Sequence, residues 1–94
     1  MNEQDREFYD RADAHIDLSN DQVPKAGSGK VCASMIYATA RFSSWLAARG
    51  FSSGAEMKES RQKTIDYFLS EYRKMLEENM DDYIDNFDTY MQKG

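Results

Sequence analysis

The sequence predicts an all-α fold: a three-helix bundle with a long C-terminal helix that assembles as a dimer. Three observations lead there. Apolar residues recur at intervals of three and four, the spacing that lines one face of a helix. No stretch alternates apolar and polar with period two for long enough to make a strand. The only proline and four of the five glycines fall in two places, Val23-Pro-Lys-Ala-Gly-Ser-Gly29 and Arg49-Gly-Phe-Ser-Ser-Gly54. These read as loops, and they divide residues 1–94, a single domain, into helices near 3–19, 29–49 and 54–91.

In the first segment Asn2 is placed to cap, with Glu3, Asp5 and Glu7 following where the helix dipole favours acids. Phe8, Tyr9, Ala12 and Ile16 make a single apolar stripe, as on a helix with one wet side.

The second segment follows Ser28 as the expected cap. Val31, Cys32, Met35, Ile36, Ala38, Phe42, Trp45 and Leu46 cover most of its circumference, leaving a narrow polar wedge at Lys30, Ser34 and Arg41. A helix that is apolar nearly all round is a buried one, and in a plain three-helix bundle that calls for cover from another chain. Its end reads as a Schellman turn, with Gly50 left-handed and Phe51 reaching back to Leu46.

The third segment opens with the capping box Ser53-x-x-Glu56. Its stripe runs Ile65, Leu69, Tyr72, Leu76, Met80, Tyr83, Phe87 and Met91, an 11-residue repeat that hardly drifts around a straight helix. Unbroken over residues 55–91 it would be about 55 Å long, against a diameter of about 32 Å for a compact chain of this size. Either it breaks, near Asn79, or its far end needs a partner. The residues that would then form a dimer interface are Met80, Tyr83, Ile84, Phe87 and Met91.

Composition narrows the function classes. The 94 residues are 40% hydrophobic and 31% charged, with a net charge of -5, the profile of a small acidic globular protein. One cysteine, Cys32, excludes an internal disulfide, and with no apolar leader it points to the cytoplasm. The longest uncharged run, Val31 to Ala40, is about half of what a bilayer-spanning helix needs, so no membrane span is expected. Charge is segregated: residues 1–22 balance to -5, residues 23–63 to +5 and residues 64–94 to -5. A basic segment between two acidic ones favours pairing within the fold. Seven scattered bases under an acidic total give little field toward nucleic acid.

The chemistry-bearing residues do not assemble into a catalytic set. Lys25-Ala-Gly-Ser-Gly-Lys30 resembles a phosphate-binding loop, but Pro24 stands where the first glycine belongs and Val31 where the hydroxyl belongs. Cys32 falls on an apolar arc with no adjacent base. With one histidine, His15, and one cysteine, neither a zinc site nor a cofactor is expected. Glu78, Asp82 and Asp85 share a face opposite the apolar stripe, without the Glu-x-x-His pair of a di-iron bundle. They suit a solvated face or a basic protein partner. Arg41, Trp45 and Arg49, four apart, allow a cation–aromatic stack at one edge of the second helix.

The runs Phe8-Tyr9-x-x-Ala12-Asp13-x-x-Ile16-x-Leu18-x-Asn20, Gly29-Lys30-Val31-x-Ala33-Ser34, Tyr37-Ala38-x-Ala40-Arg41-Phe42, Tyr67-Phe68 and Tyr72-x-x-Met75-Leu76-x-x-Asn79-x-x-Asp82-Tyr83 resemble a small proteobacterial family, number 3144 in the series of domains of unknown function. The resemblance spans roughly Phe8 to Phe87. It implies a bacterial cytoplasmic protein and brings no catalytic residue with it.

Two functional expectations follow. The first is a non-enzymatic helical interaction module acting as a homodimer through the second half of the third helix. The second is a small-ligand or regulatory domain, with a pocket between the first two helices lined by His15, Tyr37, Arg41 and Trp45.

Overall fold

The computed structural model describes residues 2–92, which are all-α: among them there is no strand. Among the described residues five helical segments replace the expected three: α1 (Glu3–Ala26), α2 (Ser28–Ala48), α3 (Gly54–Glu59), α4 (Arg61–Asp85) and α5 (Phe87–Tyr90). They fall into two units, residues 1–45 and 46–94.

In the first unit α1 starts as expected: the Asp5 amide donates to Asn2 Oδ1 at 2.9 Å. Its end does not lie at residue 19. Pro24 lacks one amide donor, but the loss falls in the last turn, and the Gly27 amide still donates to the Val23 carbonyl at 2.8 Å. The helix therefore runs to Ala26, and the expected seven-residue loop shrinks to one residue. Gly27 makes the turn with φ 91° and ψ 149°, a region open in practice only to glycine. Its carbonyl accepts from the Val31 amide at 3.1 Å, so Gly27 takes the capping place expected of Ser28, which is already helical. Beside this corner lie the two buried residues of the unit, Ser19 and Val31, with Val23 half-buried. The Ser19 hydroxyl satisfies itself on the His15 carbonyl at 2.9 Å.

The expectation that α2 is enclosed nearly all round fails within the single chain. Val31 is its one buried side chain, while Tyr37 is 68% exposed, and Ile36, Phe42, Trp45 and Cys32 are exposed as well. The Schellman turn is absent too. The Gly50 amide bonds to Ala47 and the Phe51 amide to Ala48, two successive three-residue turns that tighten the helix end, and Gly50 keeps an ordinary negative-side backbone.

The second unit opens with the capping box, half as expected. The Glu56 amide donates to Ser53 Oγ at 3.1 Å, but the Glu56 carboxylate accepts from Ser52 rather than from Ser53. The long third helix breaks twice, and neither break is at Asn79. Ser60 interrupts it at φ -99° and ψ 6°, its amide turned back to Met57. Phe51, Met57, Thr64 and Phe68 are half-buried around that corner. Asn86 interrupts it again at φ -118° and ψ 27°. Asn79 instead sits inside α4 with its side-chain amide on the Met75 carbonyl at 2.7 Å.

Candidate functional site

Two features offer themselves. In the first unit, a cleft of about 480 Å³ opens between α1 and α2. Val31, Met35, Ala38 and Phe42 lie four, three and four residues apart, one face of a helix, and Met35, Ala38 and Phe42 form one wall. His15, Leu18, Ser19 and Gln22 of α1 form the other, and Ser34, Thr39 and Ser43 edge it. Thr39 closes its own hydroxyl onto the Met35 carbonyl at 2.9 Å.

Of the four residues expected in such a pocket, the structure brings only His15 to it. Tyr37, Arg41 and Trp45 do share an edge with one another, but the packing of Val31 against the corner rotates that edge away. Trp45 lies against Phe42, ring centroids 5.4 Å apart. His15 is the cleft's one titratable side chain, its neighbours being apolar, hydroxyl or amide groups. Such a wall can hold an apolar body and orient it with a few hydrogen bonds. It pairs no acid with a base.

The second feature is the face of α4 and α5. Ile65, Leu69, Tyr72, Leu76, Met80 and Tyr83 fall within one narrow arc of α4, and every one of them is exposed, Leu69 at 62% and Met80 at 55%. Ile84, Phe87 and Met91 extend the exposed apolar surface toward the C-terminus. All five residues expected at an interface are thus uncovered in the single chain.

The three acids Glu78, Asp82 and Asp85 all lie on α4, before the break at Asn86. Glu78 and Asp85 are exposed. Asp82, although exposed, is engaged: its Oδ1 accepts from Asn86 Nδ2 at 2.9 Å and its Oδ2 from the Tyr90 hydroxyl at 2.9 Å, while the Tyr83 and Tyr90 rings lie 4.7 Å apart. That hydrogen bond and the negative charge of Asp82 hold the Tyr90 phenol above the usual tyrosine range. This clasp, missed by reading charge alone, ties α5 back onto α4. Among the described residues no group of three or more His, Cys, Asp or Glu side chains is placed to hold a metal ion. Nor is any helix among them long and apolar enough to cross a membrane.

No curated protein and no solved structure matches the chain. A family model does, over residues 8–84, the stretch holding both the cleft and the α4 stripe: the chain belongs to the family described as protein of unknown function DUF3144.

Proposed function

We propose that the protein is a non-enzymatic helical interaction module of the bacterial cytoplasm that works as a homodimer through the stripe on α4 and α5, including Met80, Tyr83, Ile84, Phe87 and Met91. The observation that carries this reading is the apolar stripe itself: within the second unit Leu69 is 62%, Met80 55% and Ile84 66% exposed, and a contiguous exposed apolar face of this kind marks an interaction surface. One hydrophobic side chain among the described residues, Val31, is buried. A chain with so little core of its own gains most by covering apolar surface with a second copy. The single cysteine accords with a reducing compartment.

The test is solution mass by light scattering after size exclusion, for the wild type and Met80→Asp. Met80 is exposed in the single chain, so its replacement leaves an isolated chain folded. The expected result is twice the chain mass for the wild type and a lower mass for the variant. Wild-type protein at the single-chain mass across concentrations refutes the reading.

The cleft favours a second reading, a ligand-binding domain, because its volume falls in the range of small-molecule sites. That reading rests on His15 with Met35 and Phe42, not on Tyr37, Arg41 and Trp45. A ligand bound there shifts the His15 ring resonances in NMR, which a purely dimeric role leaves unmoved.

A further inference from the structure

We propose that the second copy lies antiparallel along α4, with Ile65 of one chain facing Tyr83 of the other, so that the whole α4 stripe is the interface. This rests on the homodimer reading and adds its direction and register.

Charge sets the direction. α1 is charged in accord with its dipole, Glu3 and Asp5 in the first turn and Lys25 in the last. α4 is charged the other way round. Arg61 and Lys63 stand in its first turn, Asp82 and Asp85 in its last, with no acid in the former and no base in the latter. Both ends of the helix therefore work against its own dipole. Residues 61–74 hold four bases and two acids, a balance of +2, and residues 75–85 hold five acids and no base, a balance of -5.

An antiparallel copy answers both faults. It lays the acidic half of each helix beside the basic half of the other and beside the positive end of the other's dipole. A parallel copy lays the two -5 halves side by side. Packed helices lie about 8–10 Å apart, close to the Debye length of about 8 Å at physiological salt, so that repulsion is not screened away.

The stripe sets the register. Reversal about residue 74 carries Ile65 onto Tyr83 and Tyr72 onto Leu76, and brings Leu69 within one residue of Met80. Apolar side chains then meet apolar side chains along all of α4. Near the centre, Arg73 lies beside the stripe, 3.7 Å from Glu77 of its own chain. The reversal sets it level with Met75 of the partner, about 3 Å along the axis from that chain's Glu77, so the pair can be exchanged reciprocally between chains.

The experiment is disulfide trapping in a Cys32→Ser background, with Ile65→Cys and Tyr83→Cys made in separate chains and oxidised alone and mixed. The expected result is a cross-link in the mixture and none in either variant alone. Cross-linking of each variant alone means a parallel pair and overturns the proposal. No cross-link in a sample whose mass is twice the chain mass overturns the register while leaving the homodimer standing. A single-chain mass for the Cys32→Ser parent removes the homodimer and the proposal with it. Spin labels on exposed Lys63 and Asp85 check the same point without touching the stripe. The antiparallel pair separates like labels by about 33 Å along the axis, and the parallel pair sets them level.

Discussion

Leu69→Ala separates a lone chain from a covered one by magnitude. In the single chain Leu69 is 62% exposed, so little more than a third of its side chain leaves water on folding. Full burial of a leucine is worth about 1.5–3 kcal/mol, and truncation at this position in an isolated chain then costs roughly 1 kcal/mol or less. Covered by a second copy, the same truncation empties a packed site, at about 2–5 kcal/mol. A two-fold interface repeats the loss, giving roughly 4–10 kcal/mol per dimer. The assay is urea unfolding followed by circular dichroism at two protein concentrations about tenfold apart, because a dimer's midpoint rises with concentration. The expected result is a concentration-dependent midpoint for the wild type and a loss in Leu69→Ala well above 1 kcal/mol per chain. A midpoint independent of concentration, with a loss below 1 kcal/mol, refutes the reasoning.

Three further outcomes follow from local geometry. Gly27→Ala and Gly29→Ala should move the melting temperature in opposite directions: the first places a side chain at φ 91°, at about 1–3 kcal/mol, and the second, helical with open space around it, gains about 0.5–1 kcal/mol. Equal signs would count against the one-residue turn at Gly27. Ser53→Ala removes the acceptor of the Glu56 amide and should lower stability by about 1 kcal/mol, read by thermal melting, with Ser53→Asp restoring it. Because the Tyr90 phenol sits above its usual range, the clasp's contribution is fully present below the unfolded tyrosine value near pH 10 and is lost as pH rises through the raised one. An ultraviolet absorbance titration of Tyr90→Phe should lose a tyrosine that titrates above the usual range in the wild type, and an unchanged upper limb would contradict the Asp82 contact.

Helix content and two of the three expected N-terminal caps were legible because they depend on residues within one turn of each other, as Asn2 with Asp5 and Ser53 with Glu56 show, whereas the cap expected at Ser28 fell to Gly27. The breaks were not, and the two asparagines of α4 and its end show why. Asn79 and Asn86 each turn a side-chain amide onto the carbonyl four residues back, a competition with the backbone that local sequence reveals equally in both. Only Asn86 also finds a carboxylate, Asp82, that is shared with a tyrosine eight residues away. The helix ends where that longer contact exists and continues where it does not. Pro24 misled in the opposite sense: it is a strong breaker in a helix interior, yet in the final turn its missing donor changes nothing that Gly27 does not already decide.

The cleft was half legible for a related reason. A helix apolar on nearly every side carries no phase in its composition, so Arg41, Trp45 and Tyr37 looked as well placed as Met35, Ala38 and Phe42. The phase is fixed by Val31 at the corner, which selects the residues in step with it. The charge pattern of α4 carries the opposite kind of information. A helix that functions alone is stabilised by acids first and bases last, as α1 has them. Nothing within α4 itself gains from the reverse order. A second α4 running the other way does, at both ends at once, and the same reversal aligns the exposed stripe with itself. Two independent features of one helix, its charges and its apolar residues, are thus reconciled by a single operation on a second copy.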